Sequence, residues 1–379
     1  MGTIMPKAAA NNLSTASVRL RLIESVRVWP GLAGVAACIG LLHLAGWVTL
    51  LTVVAPQHFS AGSRVFGIGI GITAYMLGVR HAFDADHIAA IDNTTRNLMR
   101  QGKRSASVGF WFSAGHSSVV FGLTFMLAIG IRSVAEFVLH QDTELHNVAG
   151  LIGMAVSSGF LFMVALLNLV VLANIWKVVH RMRAGHQDED ALEQQLDGSG
   201  LIGRLLGPMM KLIRKPWQMY LVGLLFGLGF DTATEVALLV LTGSGAASRL
   251  PWYAILCLPI LFAAGMSLFD TIDGSLMHFA YRWALVKPGR KLYYNLAITG
   301  LSVAVALMIG AIETVGLFSD LFKLEGAFWT WISTIDLNSV GFAVVGLFVA
   351  TWLVALGIRS FGRVDGKWAA FRTAATNGD

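Results

Sequence analysis

Long apolar runs separated by short polar stretches dominate the hydropathy pattern of this 379-residue chain. Eight runs reach the roughly 20 residues that an α-helix needs to cross about 30 Å of hydrocarbon. The pattern therefore predicts an all-α polytopic membrane protein with about eight transmembrane helices. The predicted segments are 32–55, 65–90, 107–130, 149–174, 218–241, 252–279, 293–317 and 338–358.

The composition agrees with this class. Hydrophobic residues make up 55% of the chain and charged residues only 13%, whereas soluble domains carry about 25% charged residues. The two cysteines, Cys38 and Cys257, lie alone in apolar runs, which indicates small core residues rather than a disulfide framework. No GxxxxGK[ST] motif occurs, so hydrolysis of ATP by a P-loop in this chain is excluded.

The basic residues predict the orientation in the membrane. With the amino terminus in the cytoplasm, 23 of the 28 lysines and arginines fall in cytoplasmic segments and four in outer loops, so both termini are predicted to be cytoplasmic. Residues 1–31 then form an amino-terminal tail, in which Ser17–Trp29 is either an interfacial helix or a basic tail that only sets topology. A transport domain follows over 32–358, with a cytoplasmic loop at 175–217, and a cytoplasmic tail ends the chain over 359–379.

A weak internal repeat links the two halves of the chain. Phe83-Asp84 is followed by the FSAGHS sequence that begins at Phe112, and Phe230-Asp231 is followed by FAAGMS from Phe262. The offsets are 147 and 150 residues. Because segments two and five run in opposite directions, the pattern predicts a 3+3 inverted repeat of segments 1–3 and 4–6, with segments seven and eight added outside it. Chance similarity in apolar sequence rich in glycine and alanine is the alternative.

Segment two contains an unusual concentration of polar side chains, in the run Arg80 to Ile88. At 100° per residue in one continuous helix, His81, Asp84 and His87 are about 60° apart and share one face. Asp86 lies on another flank, where it pairs with Arg80 or with a neighbouring helix. Charged side chains inside a bilayer are costly, so such a group is expected to face a partner, a cavity or an ion.

Three further segments carry candidate ligands. Six carboxylates and three histidines are confined to segments two, three, five and six, with Arg80 as the one basic residue left inside the membrane. This excess of negative charge indicates a cationic ligand, and imidazole with carboxylate suits divalent transition metals. For a histidine or carboxylate taken singly, an ordinary hydrogen-bonded core role is the alternative. The candidate metal ligands are His81, Asp84, Asp86, His87, His116, Asp231, Glu235, Asp270 and Asp273.

Four motifs resemble those of the nickel/cobalt transporter family of eight-helix permeases. The His-x4-Asp-His motif of that family is similar to His81, Asp86 and His87, and its short third-helix motif resembles Gly115-His116-Ser117. The chain departs from the expected pattern at Ala114 and Ser118, beside that histidine. The remaining two motifs resemble residues 228–235 (LGFDTATE) and 265–274 (GMSLFDTIDG).

The resemblance implies uptake of Ni²⁺ or Co²⁺ into a bacterial cytoplasm through the inner membrane, with the second-helix motif as selectivity site. The metal is then the transported substrate, no cofactor or catalytic residue is expected, and no ATPase partner is evident. The net charge of +6 follows mainly from topology, so a nucleic-acid partner is not needed. The alternatives are an exporter, a metal-gated pore or sensor of the same fold, and a membrane metalloenzyme, which the absence of an HExxH motif disfavours.

Overall fold

A computed structural model describes residues 31–61, 64–130, 144–183, 213–228, 233–284 and 288–361. Apolar α-helices make up nearly all of this part of the chain. The exception is a pair of two-residue strands, β1 (Ser60–Ala61) and β2 (Arg64–Val65), which pair in antiparallel fashion just before the second helix.

Eleven helices can be followed through the described ranges. Helix α1 ends in a π-helical turn (Thr49–Val54) and a 3₁₀ turn (Ala55–Gln57), and a second 3₁₀ turn (Pro216–Gln218) precedes α6. The helices are α1 (Gly31–Gln57), α2 (Ile68–Ala82), α3 (Ala85–Arg100), α4 (Val108–Ala128), α5 (Glu144–Arg183), α6 (Met219–Phe226), α7 (Ala233–Ala247), α8 (Trp252–Ala284), α9 (Pro288–Phe322), α10 (Ala327–Ser333) and α11 (Leu337–Phe361).

Five of these helices contain stretches that are long and apolar enough to cross a membrane: Gly31–Gln57, Val108–Ala128, Gly150–Ala173, Trp252–Tyr281 and Thr299–Phe322. This confirms the all-α, multi-pass membrane class. The count of eight, the cytoplasmic termini and the inverted repeat stay predictions. Predicted segment five corresponds to α6 and α7, and residues 229–232 between them lie outside the described residues, as do 1–30 and 362–379. The predicted loop at 175–217 begins within α5, which continues as far as Arg183.

The continuous helix expected over 65–90 is wrong, because the chain breaks at Phe83 and Asp84. Helix α2 ends at Ala82, and Phe83 has φ −89° and ψ 13°. Asp84 is extended (φ −66°, ψ 140°), and its Oδ1 accepts a hydrogen bond of 3.1 Å from the backbone N–H of Ala85. Aspartate is a favoured N-cap because its carboxylate satisfies a free helical N–H and opposes the helix dipole. His81, Asp84 and His87 therefore do not share one helical face.

Helix α8 is central to the described bundle and packs against α2, α3, α4 and α7. Two glycines allow especially close approach of backbones. A methyl group on Gly78 of α2 would overlap the carbonyl oxygen of Phe262 in α8, and one on Gly223 of α6 would overlap the carbonyl oxygen of Phe112 in α4. Small residues at membrane-helix interfaces permit this kind of backbone contact. The close packing brings the polar faces of α2, α3, α4 and α8 together.

Candidate metal-ion site

Three buried histidines from three helices form the centre of the site, which we call the imidazole cluster. His81 lies in the last turn of α2, His87 lies in the first turn of α3, and His116 is in the middle of α4. Their ring centroids are 4.6–4.8 Å apart, and one ligand atom from each lies within 4.8 Å of the others. The side chains are 1–3% exposed. Three imidazoles that converge in this way can bind one transition-metal ion.

The break between α2 and α3 places the first two histidines. It redirects the chain so that the last turn of α2 and the first turn of α3 present His81 and His87 to the same point. The amino end of α3 carries a partial positive charge, which disfavours a cation there. Two carboxylates offset this charge: Asp84 is fully buried, and Asp86 Oδ1 accepts a hydrogen bond of 2.8 Å from the His87 N–H.

Helix α7 supplies two polar groups to the cluster. Glu235 Oε1 lies 2.6 Å from His116 Nε2, and His81 Nε2 lies 2.8 Å from the same nitrogen. With Glu235 ionised, His116 Nε2 carries the proton and His81 Nε2 is an acceptor. His81 Nδ1 then donates to Thr234 Oγ1 at 2.9 Å. This second hydrogen bond orients the His81 ring so that Nε2 presents its lone pair to the cluster.

Helix α8 brings a carboxylate to the remaining histidine. Asp270 Oδ2 lies 3.5 Å from His87 Nδ1, and both side chains are almost fully buried. Within the described part of the chain, neither ring nitrogen of His87 and neither carboxylate oxygen of Asp270 makes a hydrogen bond. Buried polar atoms nearly always have a partner. A nitrogen and a carboxylate oxygen that lie side by side without such partners can together hold a cation.

The structure describes eight of the nine predicted ligands and brings six of them together. Asp86 is half-buried beside the backbone of His87, and Asp273 lies one turn beyond Asp270 on α8, with a buried Oδ2 that makes no hydrogen bond within the described residues. Asp231 lies outside the described residues. The six that come together in the bundle are His81, Asp84, His87, His116, Glu235 and Asp270.

Several polar contacts were missed from the sequence. Thr234, which holds His81, precedes Glu235 in the same motif, so the motif itself was the available signal. Arg80 is half-exposed and pairs at 3.6 Å with Asp336 near the start of α11, not with Asp86. Arg96 follows predicted segment 65–90 and counts among the 23 basic residues predicted to be cytoplasmic, yet it is only 2% exposed and pairs with Asp92. Their i, i+4 spacing is typical of a helical ion pair and was visible in the sequence.

The fold and the site together define a class: a multi-pass helical membrane protein with a buried cluster of imidazoles and carboxylates. The sequence model of the NicO family, described as high-affinity nickel-transport protein, matches residues 67–358. The chain belongs to this family and is a transport protein rather than an enzyme, as the sequence motifs predicted. No solved structure matches the chain.

Curated relatives match over most of their own length. The chain is 54% identical over 352 residues to the nickel transporter NicT of Mycobacterium tuberculosis, covering 93% of this chain and 95% of the relative. It is 43% identical over 333 residues to the nickel transporter NixA of Staphylococcus aureus, covering 88% and 95%. The cobalt transport protein NhlF of Rhodococcus rhodochrous is 42% identical over 327 residues, with 86% and 91% covered.

Proposed function

We propose that this protein imports Ni²⁺, Co²⁺ or both across a bacterial inner membrane as a secondary transporter, with the metal as substrate and not as cofactor. The observation that carries the proposal is the imidazole cluster, in which orphaned donors of His87 and Asp270 lie beside His81 and His116. The names of the relatives, nickel transporters and one cobalt transport protein, support the choice of metals.

In this proposal the metal ion loses most of its hydration shell and then binds to the imidazole cluster. Glu235 and Asp270 supply negative charge at either side, and Asp84 and Asp86 lower the cost of a cation at the amino end of α3. Asp231 and Asp273 belong to the same proposed ligand set. A membrane potential that is negative inside favours uptake of a cation. Moving a doubly charged ion inward across 100 mV lowers the free energy by about 4.6 kcal/mol, from about 2.3 kcal/mol per charge.

Alternating access between two inverted halves is the proposed mechanism, and matched helix contacts support it. Gly78 meets the carbonyl oxygen of Phe262, and Gly223 meets that of Phe112. Phe112 and Phe262 are equivalent in the proposed repeat, with an offset of 150 residues. The contact of α2 with α8 thus has a counterpart in the contact of α6 with α4.

A second pair of contacts follows the same relation. A methyl on Gly265 of α8 would lie 2.7 Å from the carbonyl oxygen of Tyr75, and one on Gly115 of α4 would overlap the carbonyl oxygen of Tyr220. Gly115 and Gly265 are again 150 residues apart. Two packed units related in this way are suited to rocking about the site between them, as in other transporters with inverted repeats.

The decisive experiment is metal accumulation by cells that express the chain. Nickel and cobalt are supplied together at trace concentration with excess magnesium, and wild type is compared with His87→Ala at equal membrane abundance. His278→Ala is the matched control, because His278 is also buried but is bonded to Ser105 at 2.8 Å and lies outside the imidazole cluster.

We expect wild type and His278→Ala to concentrate metal and His87→Ala to fail. The ratio of the two metals then gives the selectivity. If wild type accumulates no metal above empty cells, import is wrong. Lower metal content than in empty cells would favour the exporter, and equilibration without accumulation would favour the pore.

A further inference from the structure

The inner half of α3 is polar and yet enclosed by other helices. Five consecutive polar residues, Asp92 to Arg96, are each no more than 2% exposed. We call residues 92–96 the inner polar stretch. It begins five residues after His87, about 7.5 Å further along the helix at 1.5 Å per residue. Under the predicted topology α3 runs from the imidazole cluster toward the cytoplasm, so the stretch lies on the inner side of the site.

Asp92 is the centre of a network that joins three helices. Its Oδ2 accepts hydrogen bonds from Arg96 Nη2 at 2.8 Å and from Ser302 Oγ of α9 at 2.6 Å. Its Oδ1 accepts one from the hydroxyl of Tyr281 of α8 at 2.6 Å. The Arg96 guanidinium also lies 5.4 Å from the centre of the Tyr281 ring. We call these four residues the latch.

A second set of contacts ties the same stretch to α5. Asn168 Nδ2 donates to Asn93 Oδ1 at 2.6 Å, and Arg100 Nη2 donates to Asn168 Oδ1 at 2.7 Å. A cavity lies against these side chains, lined among others by Thr94 and Asn97. Side-chain hydrogen bonds thus fasten the inner half of α3 to α5, α8 and α9.

We propose that the inner polar stretch lines the path by which the ion leaves the imidazole cluster for the cytoplasm, and that the latch closes this path. The inference rests on the proposed function and adds to it the exit route and its gate. Buried ion pairs are often no more stabilising than apolar residues of the same size, and their best-attested use is in register and switching. A polar stretch between helices can also take up water when the helices separate, whereas an apolar stretch cannot.

The charge of the latch suits an exit path. Conduction requires that sites along a path bind the ion weakly enough for it to leave. An unpaired Asp92 would be a second strong site for a divalent cation, close to His87. Arg96 neutralises that carboxylate, so the path stays polar without trapping the ion. Asp92 and Arg96 therefore provide hydrogen bonds that can close the path, while their charges nearly cancel.

Thiol labelling of Thr94→Cys tests the gate without any need for transport. The background carries Cys38→Ser and Cys257→Ala, and the Thr94 hydroxyl makes no hydrogen bond within the described residues, so its loss breaks no described contact. A membrane-impermeant thiol reagent is applied to inside-out vesicles or to spheroplasts. Ser302→Ala opens the latch by removing one hydrogen bond to a carboxylate, a bond of the stronger, charged kind.

The matched control is Ser157→Ala, which removes a buried serine hydrogen bond of 2.9 Å to a carboxylate oxygen of Glu313 between α5 and α9, a bond that involves no residue of the latch. We expect Ser302→Ala to raise the labelling rate in inside-out vesicles about tenfold, which corresponds to about 1.4 kcal/mol, and Ser157→Ala to leave it unchanged. Tyr281→Phe is a second latch variant with the same expectation, for use if Ser302→Ala does not fold.

Three results would overturn the inference: equal rates in the latch and control variants, labelling only from the outer side, or no labelling in any variant. Equilibrium binding of nickel to the same purified proteins separates this outcome from failure of the proposed function. If labelling depends on the latch but the protein binds no nickel, the proposed exit path stands and nickel is not the substrate. Intact nickel binding with latch-independent labelling would mean that the gate alone is wrong.

Discussion

At the scale of single residues, the site is a set of buried imidazoles and carboxylates contributed by several helices. His87 and Asp270 face each other at 3.5 Å with their polar atoms unbonded in the described part of the chain, whereas His81 and His116 are held by Thr234 and Glu235. One histidine is thus available to an incoming ion, and two are already oriented. Loss of an outer hydrogen bond that orients a ligand typically lowers metal affinity about 10- to 100-fold.

Acid should weaken metal binding. Histidine ligates as neutral imidazole, so protons compete with the metal. The affinity for Ni²⁺ is therefore expected to fall with falling pH, by about tenfold per unit for each proton displaced once the ligands become protonated. Equilibrium dialysis of the purified protein over a series of pH values from about 7.5 downward measures this. A rise in affinity at lower pH would argue against imidazole ligands.

Thr234 is expected to act through His81 and not as a ligand. Thr234→Val removes the hydroxyl that is hydrogen-bonded to His81 Nδ1 at 2.9 Å but keeps the shape of the side chain. We expect nickel affinity to fall about 10- to 100-fold, the usual cost of losing an outer-shell partner. Thr234→Ser, which retains the hydroxyl, should restore most of the affinity. Isothermal titration calorimetry distinguishes the two, and a loss of affinity in the serine variant would mean that packing, not the hydrogen bond, matters.

At the scale of helices, the break at Phe83 and Asp84 determines how the site is built. An aspartate N-cap is a local signal, and Asp84 shows that it was present in the sequence. The apolar run around it nevertheless suggested one span, because hydropathy reports length and polarity and is insensitive to a one-residue turn. Helix α11 covers the break: a methyl on Gly341 would overlap the carbonyl oxygen of Phe83. The interruption of the helix thus depends on packing against α11 as well as on the N-cap.

Two glycines of α2 provide a test of helix packing. Gly78→Ala places a methyl on the carbonyl oxygen of Phe262, so α2 and α8 must separate and the yield of folded protein should fall. Gly69→Ala is the matched control, because a methyl there meets nothing within 4 Å. It should be neutral or stabilising by up to about 1 kcal/mol from reduced backbone entropy. Size-exclusion chromatography and thermal unfolding in detergent report both effects; similar behaviour of the two variants would contradict the packing.

At the scale of the whole molecule, the predicted topology sets the direction of the proposed import and of the proposed exit path. The bias of 23 basic residues against four predicts cytoplasmic termini. Under that orientation the polar latch, at the end of Trp252–Tyr281 and the start of Thr299–Phe322, lies at the cytoplasmic side of the bundle. The imidazole cluster then lies on the outer side of this inner network, which is the order that the proposed exit path requires.

Reporter fusions test the topology directly. A reporter that is active only in the cytoplasm, fused after residue 379, is expected to be active, and one that is active only outside the inner membrane is expected to be silent. Fusion within the loop at 175–217 should give the same result, whereas fusion after Arg249 should give the opposite one. An outward-facing carboxyl terminus would reverse the direction of the proposed exit path.

The sequence by itself determined the helical membrane class, and it named the types of side chain that are candidate ligands. These follow from local quantities: the length of an apolar run, and the cost of a charge inside it. The tertiary structure alone decided which of these candidate ligands meet. His81 and His116 are 35 residues apart, and His116 and Glu235 are 119 apart. Their contacts depend on how the helices pack, and a glycine-to-carbonyl approach cannot be read from hydropathy. The latch could not be predicted from the sequence for the same reason, because Arg96 is buried only when the helices pack together.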